Sequence, residues 1–396
     1  MKVLYISALA SEIRINEEHK RTGLNPGFAI QKFSRLLTKG MVINGADVLA
    51  LSNPPYVNGK KGFVPSIREQ GNGLSYKYVP YFNLPILKHL CLFFYSFFYV
   101  LFWGVGNHKN KAVICDVLAI SICLGALLAT KCNRLKSVAL VTDIYSLMQG
   151  TDTKAYINRL AGKLNVWYSG SFDKYVLLTE QMNEVVNPKG HPFIVMEALC
   201  DSSILHGEIK RVEKEHPRTV IYAGGLHSKY GLKMLAEGFL KAEVDDAKLV
   251  YYGSGEYVEE FKELCKNHSN LEYRGVAQND EIVAEEQKAT LLVNPRFTTE
   301  EFTKFSFPSK NMEYMASGTP LLTTKLPGMP KEYYPYVFLF QEETIDGYAD
   351  AIRKALSYSE SELRLFGCRA SQFVLSNKSN VQQAKRVLEF IGEDDV

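Results

Sequence analysis

The sequence predicts an α/β protein built from two parallel-sheet domains, and three observations carry that prediction. Short apolar runs of strand character alternate with amphipathic helical stretches along most of the chain, the pattern of a parallel sheet covered by helices on both faces. At 396 residues the chain is too long for one ordinary core. A polar, charged break over 201–216 separates two such alternations. The boundaries read this way are 1–205 for the first domain, 206–375 for the second, and 376–396 for a terminal helix.

The first domain opens with an apolar strand over 3–7, too short before Glu12 and Arg14 to serve as a signal peptide. A polar loop to Gly27 follows, then an amphipathic helix over 28–42 and a strand over 47–52. Further strands are expected at 74–80, 112–115, 137–141 and 175–178, with helices between them. In such sheets ligands sit beyond the C-terminal strand ends, near a switch in strand order. The loops carrying Asn25, Gly27, Asp143 and Thr179 follow strands, so they are expected to line one side of a cleft.

Two apolar segments interrupt this rhythm. The run LCLFFYSFFYVLFWGV, residues 90–105, carries no charge and is flanked by Lys88, His89, His108, Lys109 and Lys111. It is shorter than the ~20 residues that cross a bilayer as a helix. Together with 117–129 it reads as a buried helix of the first domain, or as an aromatic, cation-flanked surface lying in a membrane interface.

The second domain is expected to open with a strand over 219–223 that runs into GGLHSKYG, residues 224–231. Gly224 and Gly225 let backbone N–H groups approach a diphosphate, and Lys229 offers charge. Strands over 248–252, 271–274 and 291–294 end in Gly253, in Gly275-Val276 and in Pro295-Arg296. Arg296, which opens the loop to Ser306, is expected either as a solvated loop residue or among the residues that bind the donor. A strand over 337–340 and helices, the last over 380–391, complete the chain.

The stretch SFPSKNMEYMASGTPLLTTKLPG, residues 306–328, organises the rest. Ser306 reads as an N-cap, Pro308 as a first-turn residue, and Gly318 as the helix stop before a buried strand. The helix start then offers free N–H groups and a dipole end, with Ser309 and Lys310 in its first turn and Glu313 one turn on. A phosphate cradle followed by a carboxylate fits a ligand with a diphosphate and a vicinal diol, which describes a nucleotide-sugar.

Composition narrows the field. A net charge of +3 gives no nucleic-acid footprint. The seven cysteines are scattered, with no CxxC, and read as reduced core residues of a cytosolic protein. There is no Walker loop, HExxH, GxSxG or Asp-x-Asp, so no metal and no cofactor are expected. A departing diphosphate would then rely on a helix N-terminus and cationic side chains.

The segment from Ser306 to Gly318 with its Thr-Pro resembles the signature of retaining GT-B glycosyltransferases of family 4, the type found in bacterial surface-polysaccharide synthesis. The resemblance implies a GT-B fold: two Rossmann-like domains, an interdomain cleft, and C-terminal helices crossing back to the first domain. It places the donor ribose hydroxyls on Glu313 and the nucleobase against the backbone of Gly275 and Val276. It puts Arg and Lys in the glycine loop, where this chain has Gly225 and Tyr230, and a Glu eight residues before Glu313, where it has Phe305. The backbone of Ser306–Ser309 is expected to stand in for that Glu. The implied reaction is metal-independent transfer with retention from a nucleotide-sugar to a lipid-linked saccharide acceptor; the residues themselves offer Lys310 and Lys229 as its cations and Asn25, Gly27, Asp143 and Thr179 on the acceptor side. The implied setting is cytoplasmic, peripheral at the inner face of the membrane. A nucleotide-sugar 2-epimerase and a catalytically degenerate nucleotide-sugar-binding subunit are the alternatives.

Overall fold

The computed structural model describes residues 1–23, 28–53, 62–71, 73–106, 108–145, 155–203 and 213–393. The chain divides into two compact units, Met1–Leu199 with Asn380–Val396, and Cys200–Ser379.

The first unit begins β1 (Lys2–Ser7), α1 (Glu12–Thr22), α2 (Phe28–Ile43), β2 (Asp47–Ser52), β3 (Phe63–Val64), β4 (Ile67–Gly71), β5 (Leu74–Tyr78), β6 (Tyr81–Phe82) and α3 (Pro85–Trp103). It continues β7 (Lys111–Asp116), α4 (Ile120–Asn133), β8 (Lys136–Val141), α5 (Ala155–Ser169), β9 (Lys174–Leu177), α6 (Met182–Val186) and β10 (Phe193–Val195). The sheet order is β10-β9-β8-β7-β1-β2-β5-β4, parallel except for β4, so strand order reverses between β1 and β7. Its strands are continuous apolar runs because both faces are covered; Leu4, Val113, Leu140 and Leu177 are wholly buried.

The strands β3, β6 and β10 are short additions to the sequence reading, and two longer elements differ from it. The expected polar loop after β1 contains α1, in which Ile15 is the one buried residue. Its helicity comes from its ends: the Ser11 hydroxyl accepts from Arg14 N–H, Glu12 lies in the first turn, His19, Lys20 and Arg21 in the last, and Gly23 closes it in the left-handed region. The antiparallel edge strand β4 carries a polar, half-exposed sequence without the apolar signal of its neighbours.

The two apolar segments part company. On α4, seven residues from Ile122 to Thr130 are buried. On α3 only Leu92, Ser96 and Val100 are buried, facing Gly125 of α4, where an added Cβ would lie 2.2 Å from the Phe93 carbonyl. The opposite ridge of Ile86, Leu90, Phe94, Phe98 and Phe102 is open, and Phe102 is 72 % exposed. Phe94, Phe98 and Phe102 line an apolar groove of about 480 Å³ with Pro80, Cys91, Tyr95 and Tyr99.

The second unit runs β11 (Arg218–Ala223), α7 (Leu232–Ala242), β12 (Ala247–Tyr252), α8 (Val258–Asn267), β13 (Leu271–Tyr273), α9 (Asn279–Lys288), β14 (Leu291–Asn294) and α10 (Ser309–Ala316). It closes with β15 (Leu321–Thr324), β16 (Phe338–Phe340), α11 (Ile345–Leu356) and α12 (Glu360–Asn377). Its six-stranded sheet has the order β13-β12-β11-β14-β15-β16, all parallel, with the reversal between β11 and β14. The last helix, α13 (Asn380–Gly392), belongs to the first unit. Asn380 donates to the Leu36 carbonyl on α2, and Lys174 donates to the carbonyls of Phe390 and Glu393.

Candidate functional site

The site is built where the strand order of the second sheet reverses. Loops leaving β11 and β14 are neighbours there because the two strands pair directly. The tops of β11, β12 and β13 approach so closely that only glycine fits between them. Gly253, at φ 131°, would place a Cβ 1.8 Å from the Gly224 carbonyl oxygen, and its N–H donates to Gly275 at 2.8 Å. Gly224 and Gly275, assigned from sequence to diphosphate and base, are thereby linked through one glycine. Val276 beside them is 73 % exposed.

The helix α10 brings the second group of residues. Its entry corrects two expectations, and the first is that Ser306 does not cap it. Its hydroxyl donates backwards to the Phe302 carbonyl at 3.0 Å, closing a short 3-10 turn over Glu301–Lys304. Pro308 is the N-cap itself rather than a first-turn residue, and it makes no side-chain cap. The helix then starts at Ser309, and Gly318, at φ 80°, ends it as expected.

One face of α10 is locked into the sheet by polar side chains. The Tyr314 hydroxyl accepts from Ala223 N–H at 2.8 Å and donates to the Ala223 carbonyl at 3.1 Å, fixing the residue before Gly224. Asn294 donates to Asn311 at 2.6 Å, and Thr323 donates to the Asn294 carbonyl at 2.9 Å. Buried groups of this kind are costly unless each is bonded.

The neighbouring face carries Lys310 and Glu313, whose Nζ and Oε2 are 2.9 Å apart. Lys310 Nζ also lies 3.8 Å from Oε1 of Glu286, a carboxylate on α9 that is almost fully buried. Burial pulls the Lys310 pKa down, but the charges of Glu313 and Glu286 more than offset this and hold it above its ordinary value. Glu286 is absent from the sequence reading. Its trace there is Ile282 and Glu286 at i and i+4, a carboxylate on the apolar stripe of α9.

The loop after β11 forms the third group. The Tyr222 hydroxyl donates to the Gly225 carbonyl at 3.0 Å, and a Cβ on Gly225 would stand 3.5 Å from the Tyr230 ring. Arg296 lays its guanidinium 4.7 Å from the centre of that ring, with Lys229 Nζ at 5.6 Å from the same centre. Glu256 caps the loop, accepting from Ser228 N–H at 3.0 Å and pairing with His227. Its carboxyl is held down at about 2 by its own backbone N–H, then by His227 and Ser228.

In the first unit Asp143 and Thr179 stand on the loops after β8 and β9. The Asp143 carboxylate accepts from Ile144 N–H at 2.8 Å, while burial raises its pKa; Thr179 is buried. Asn25 and Gly27 lie outside the described residues. Among the described residues no three His, Cys, Asp or Glu side chains cluster as metal ligands.

Comparison with known proteins bears on this arrangement. The family model described as glycosyl transferases group 1 matches residues 208–366. No curated protein matches by sequence. Among solved structures, TarM superposes with a TM-score of 0.65 at 10 % identity, covering 99 % of each chain. Sucrose-phosphate synthase from Thermosynechococcus elongatus gives 0.63 at 11 % identity over 98 % of both chains. HepE of Anabaena, solved with UDP, gives 0.62 at 12 % identity over 98 % of this chain and 99 % of that one. The fold is therefore that of the GT-B glycosyltransferases, two Rossmann-like parallel-sheet domains, and the second unit carries a group 1 glycosyl transferase domain.

Proposed function

We propose that this glycosyltransferase, a GT-B chain with its group 1 domain over residues 208–366, transfers a sugar from a nucleotide-sugar to a saccharide acceptor with retention of configuration and without a metal. The observation that carries the reading is the convergence, at the β11/β14 reversal, of the Gly224–Gly225 loop and the Lys310–Glu313 pair, joined through Tyr314 and Ala223. Solved GT-B neighbours hold UDP, or UDP and glucose, which supports a nucleotide-sugar as donor.

In this reading Glu313 accepts from the ribose diol, and the base lies against Gly275 and Val276. The diphosphate faces the backbone of Gly224, Gly225, Ser306, Pro308 and Ser309. Lys310 and Lys229 stabilise the charge that grows on the leaving phosphate oxygens, so they help the transition state more than the ground state. Glu286 makes this division workable: when Glu313 turns to the ribose, the buried carboxylate still holds Lys310 in place. Retention needs no side-chain nucleophile, because the acceptor attacks from the face the diphosphate leaves, and a leaving oxygen takes its proton. Asn25, Gly27, Asp143 and Thr179 are the acceptor-side residues of this reading.

We further assign the acceptor to a lipid carrier at the inner face of the cytoplasmic membrane, in assembly of a capsular or other surface polysaccharide. The open aromatic ridge of α3, with Lys88 and Lys111 at its ends, supports a peripheral membrane contact.

The test is incubation with labelled nucleotide-sugars and a lipid-linked saccharide. Labelled glycolipid with unchanged anomeric configuration, at a rate indifferent to EDTA, is the expected outcome. Isomerised donor alone would identify an epimerase, and binding without turnover a degenerate subunit.

A further inference from the structure

Tyr230 stands where the family resemblance calls for a loop cation, and the structure shows what lies upon it. Arg296, from the adjacent strand's loop, stacks its guanidinium 4.7 Å from the Tyr230 ring centre and 5.9 Å from that of Phe302. The two rings meet edge to face at 6.3 Å and form an angled seat. Lys229 shares it, with Nζ 5.6 Å from one ring centre and 5.5 Å from the other. Two cations thus lie over one aromatic pair, and among the described residues neither has a carboxylate partner. Among the described residues the buried Arg296 Nε–H meets no acceptor. A desolvated donor left unbonded costs free energy unless an acceptor arrives to meet it.

We propose that Arg296, seated on Tyr230, joins Lys229 and Lys310 in neutralising the donor's diphosphate, replacing the charge that Gly225 and Tyr230 have removed from the β11 loop. The inference rests on the reading that the second unit binds a nucleotide-sugar. Three features favour an anion here over simple packing. The seat borders Gly225, within reach of the diphosphate expected at the β11/β14 reversal. A guanidinium held over a ring face by its cation–π attraction still carries N–H donors that can meet two phosphate oxygens. Lys310, the other cation nearby, is already matched by two carboxylates, whereas Arg296 and Lys229 are matched by none among the described residues. The aromatic pair supplies orientation, and an incoming diphosphate would relieve the repulsion between the two cations.

The experiment is calorimetric titration of the full chain with UDP, GDP and ADP and with the corresponding monophosphates. The wild type is expected to prefer one diphosphate over its monophosphate. Arg296→Gln should weaken the diphosphate about 10–100-fold, the equivalent of a lost charge-assisted hydrogen bond, while changing the monophosphate less. Tyr230→Arg placed in the Arg296→Gln background should recover most of that loss, since it returns a cation to the loop. Arg296→Lys, which keeps charge but not the planar fork, should fall between. Undiminished diphosphate binding by Arg296→Gln overturns the proposal, and so does failure of the double variant to recover while its melting temperature matches the wild type. A wild type that binds no nucleoside diphosphate removes the donor reading itself, and this inference with it.

Discussion

The helices α10 and α3 invert the usual relation between polarity and burial. The eight residues of α10 include Asn311 and Tyr314, both fully buried, because every polar group on its inner face meets a partner on β11, β14 or β15. The nineteen residues of α3 are overwhelmingly apolar, yet one whole ridge faces outward, with Ile86 at 77 % exposure. Hydrophobicity alone would have ranked them the other way. What decides burial on α10 is satisfaction of hydrogen bonds. What marks α3 is an apolar surface that its own unit leaves uncovered, which in folded proteins signals a partner or a membrane.

If α10 is held for chemistry, its outer face should matter most. Lys310→Met is expected to lower kcat by roughly 2.7–4 kcal/mol in barrier terms, as for loss of an oxyanion-hole donor, with a smaller rise in donor KM. It would also remove the Lys310 charge from beside the buried Glu286, so the melting temperature should fall. Adding Glu286→Gln should restore stability but not turnover. If the double variant regained kcat, Lys310 would be a structural partner of Glu286 and nothing more.

The comparison would weaken if the first unit hid a site as polar and locked as that around α10. Asp116 is the place to look: it ends β7 beside the strand reversal, is buried, and accepts from Leu118 N–H at 3.1 Å. Burial pushes its carboxyl up to about 6 from 3.8. The folded chain therefore binds this proton more tightly than the unfolded one. Asp116 contributes stability below the unfolded pKa that is lost as pH rises through 6, by about 3 kcal/mol in all. Chemical denaturation at pH 4.5 and 7.5 should show a smaller loss for Asp116→Asn than for the wild type. Equal losses would mean that a cation reaches Asp116.

A smaller effect tests the inner face of α10. Tyr314→Phe strands the N–H and the carbonyl of Ala223, and should cost about 1–3 kcal/mol of unfolding free energy. It should also loosen the Gly224 loop and raise the donor KM. A variant as stable as the wild type would show that water replaces the phenol there.

How far these regions were legible in the sequence follows the same physics. Buried parallel strands announce themselves, and β2 and β14 were readable to the residue. The polar α1 and edge strand β4 were not, because caps and pairing make them rather than apolar period. Within the site, Gly318 was legible since a helix stop needs a left-handed residue. Ser306 misled because its hydroxyl turns back to a 3-10 turn that the sequence does not announce. The stacking of Arg296 on Tyr230 depends on β11 and β14 becoming neighbours, which no local pattern encodes.

The smallest expected effect on stability is the most telling one for α3. Phe94 and Phe102 are 52 % and 72 % exposed and stand two turns apart on the open ridge. Replacing both by Ser removes little buried area, so unfolding free energy should change by no more than about 1 kcal/mol in total. If the ridge existed to hold the first unit together, the loss would be several-fold larger, as for truncation in a packed core. A bilayer interface gives the opposite dependence, because exposed aromatic area is what it would bury. The wild type should therefore co-sediment with anionic liposomes, partly released by salt through Lys88 and Lys111, and the double variant should stay in the supernatant with nucleotide binding unchanged. Equal sedimentation of the two proteins, or of neither, would leave α3 without its membrane role and turn attention to a protein partner for the ridge.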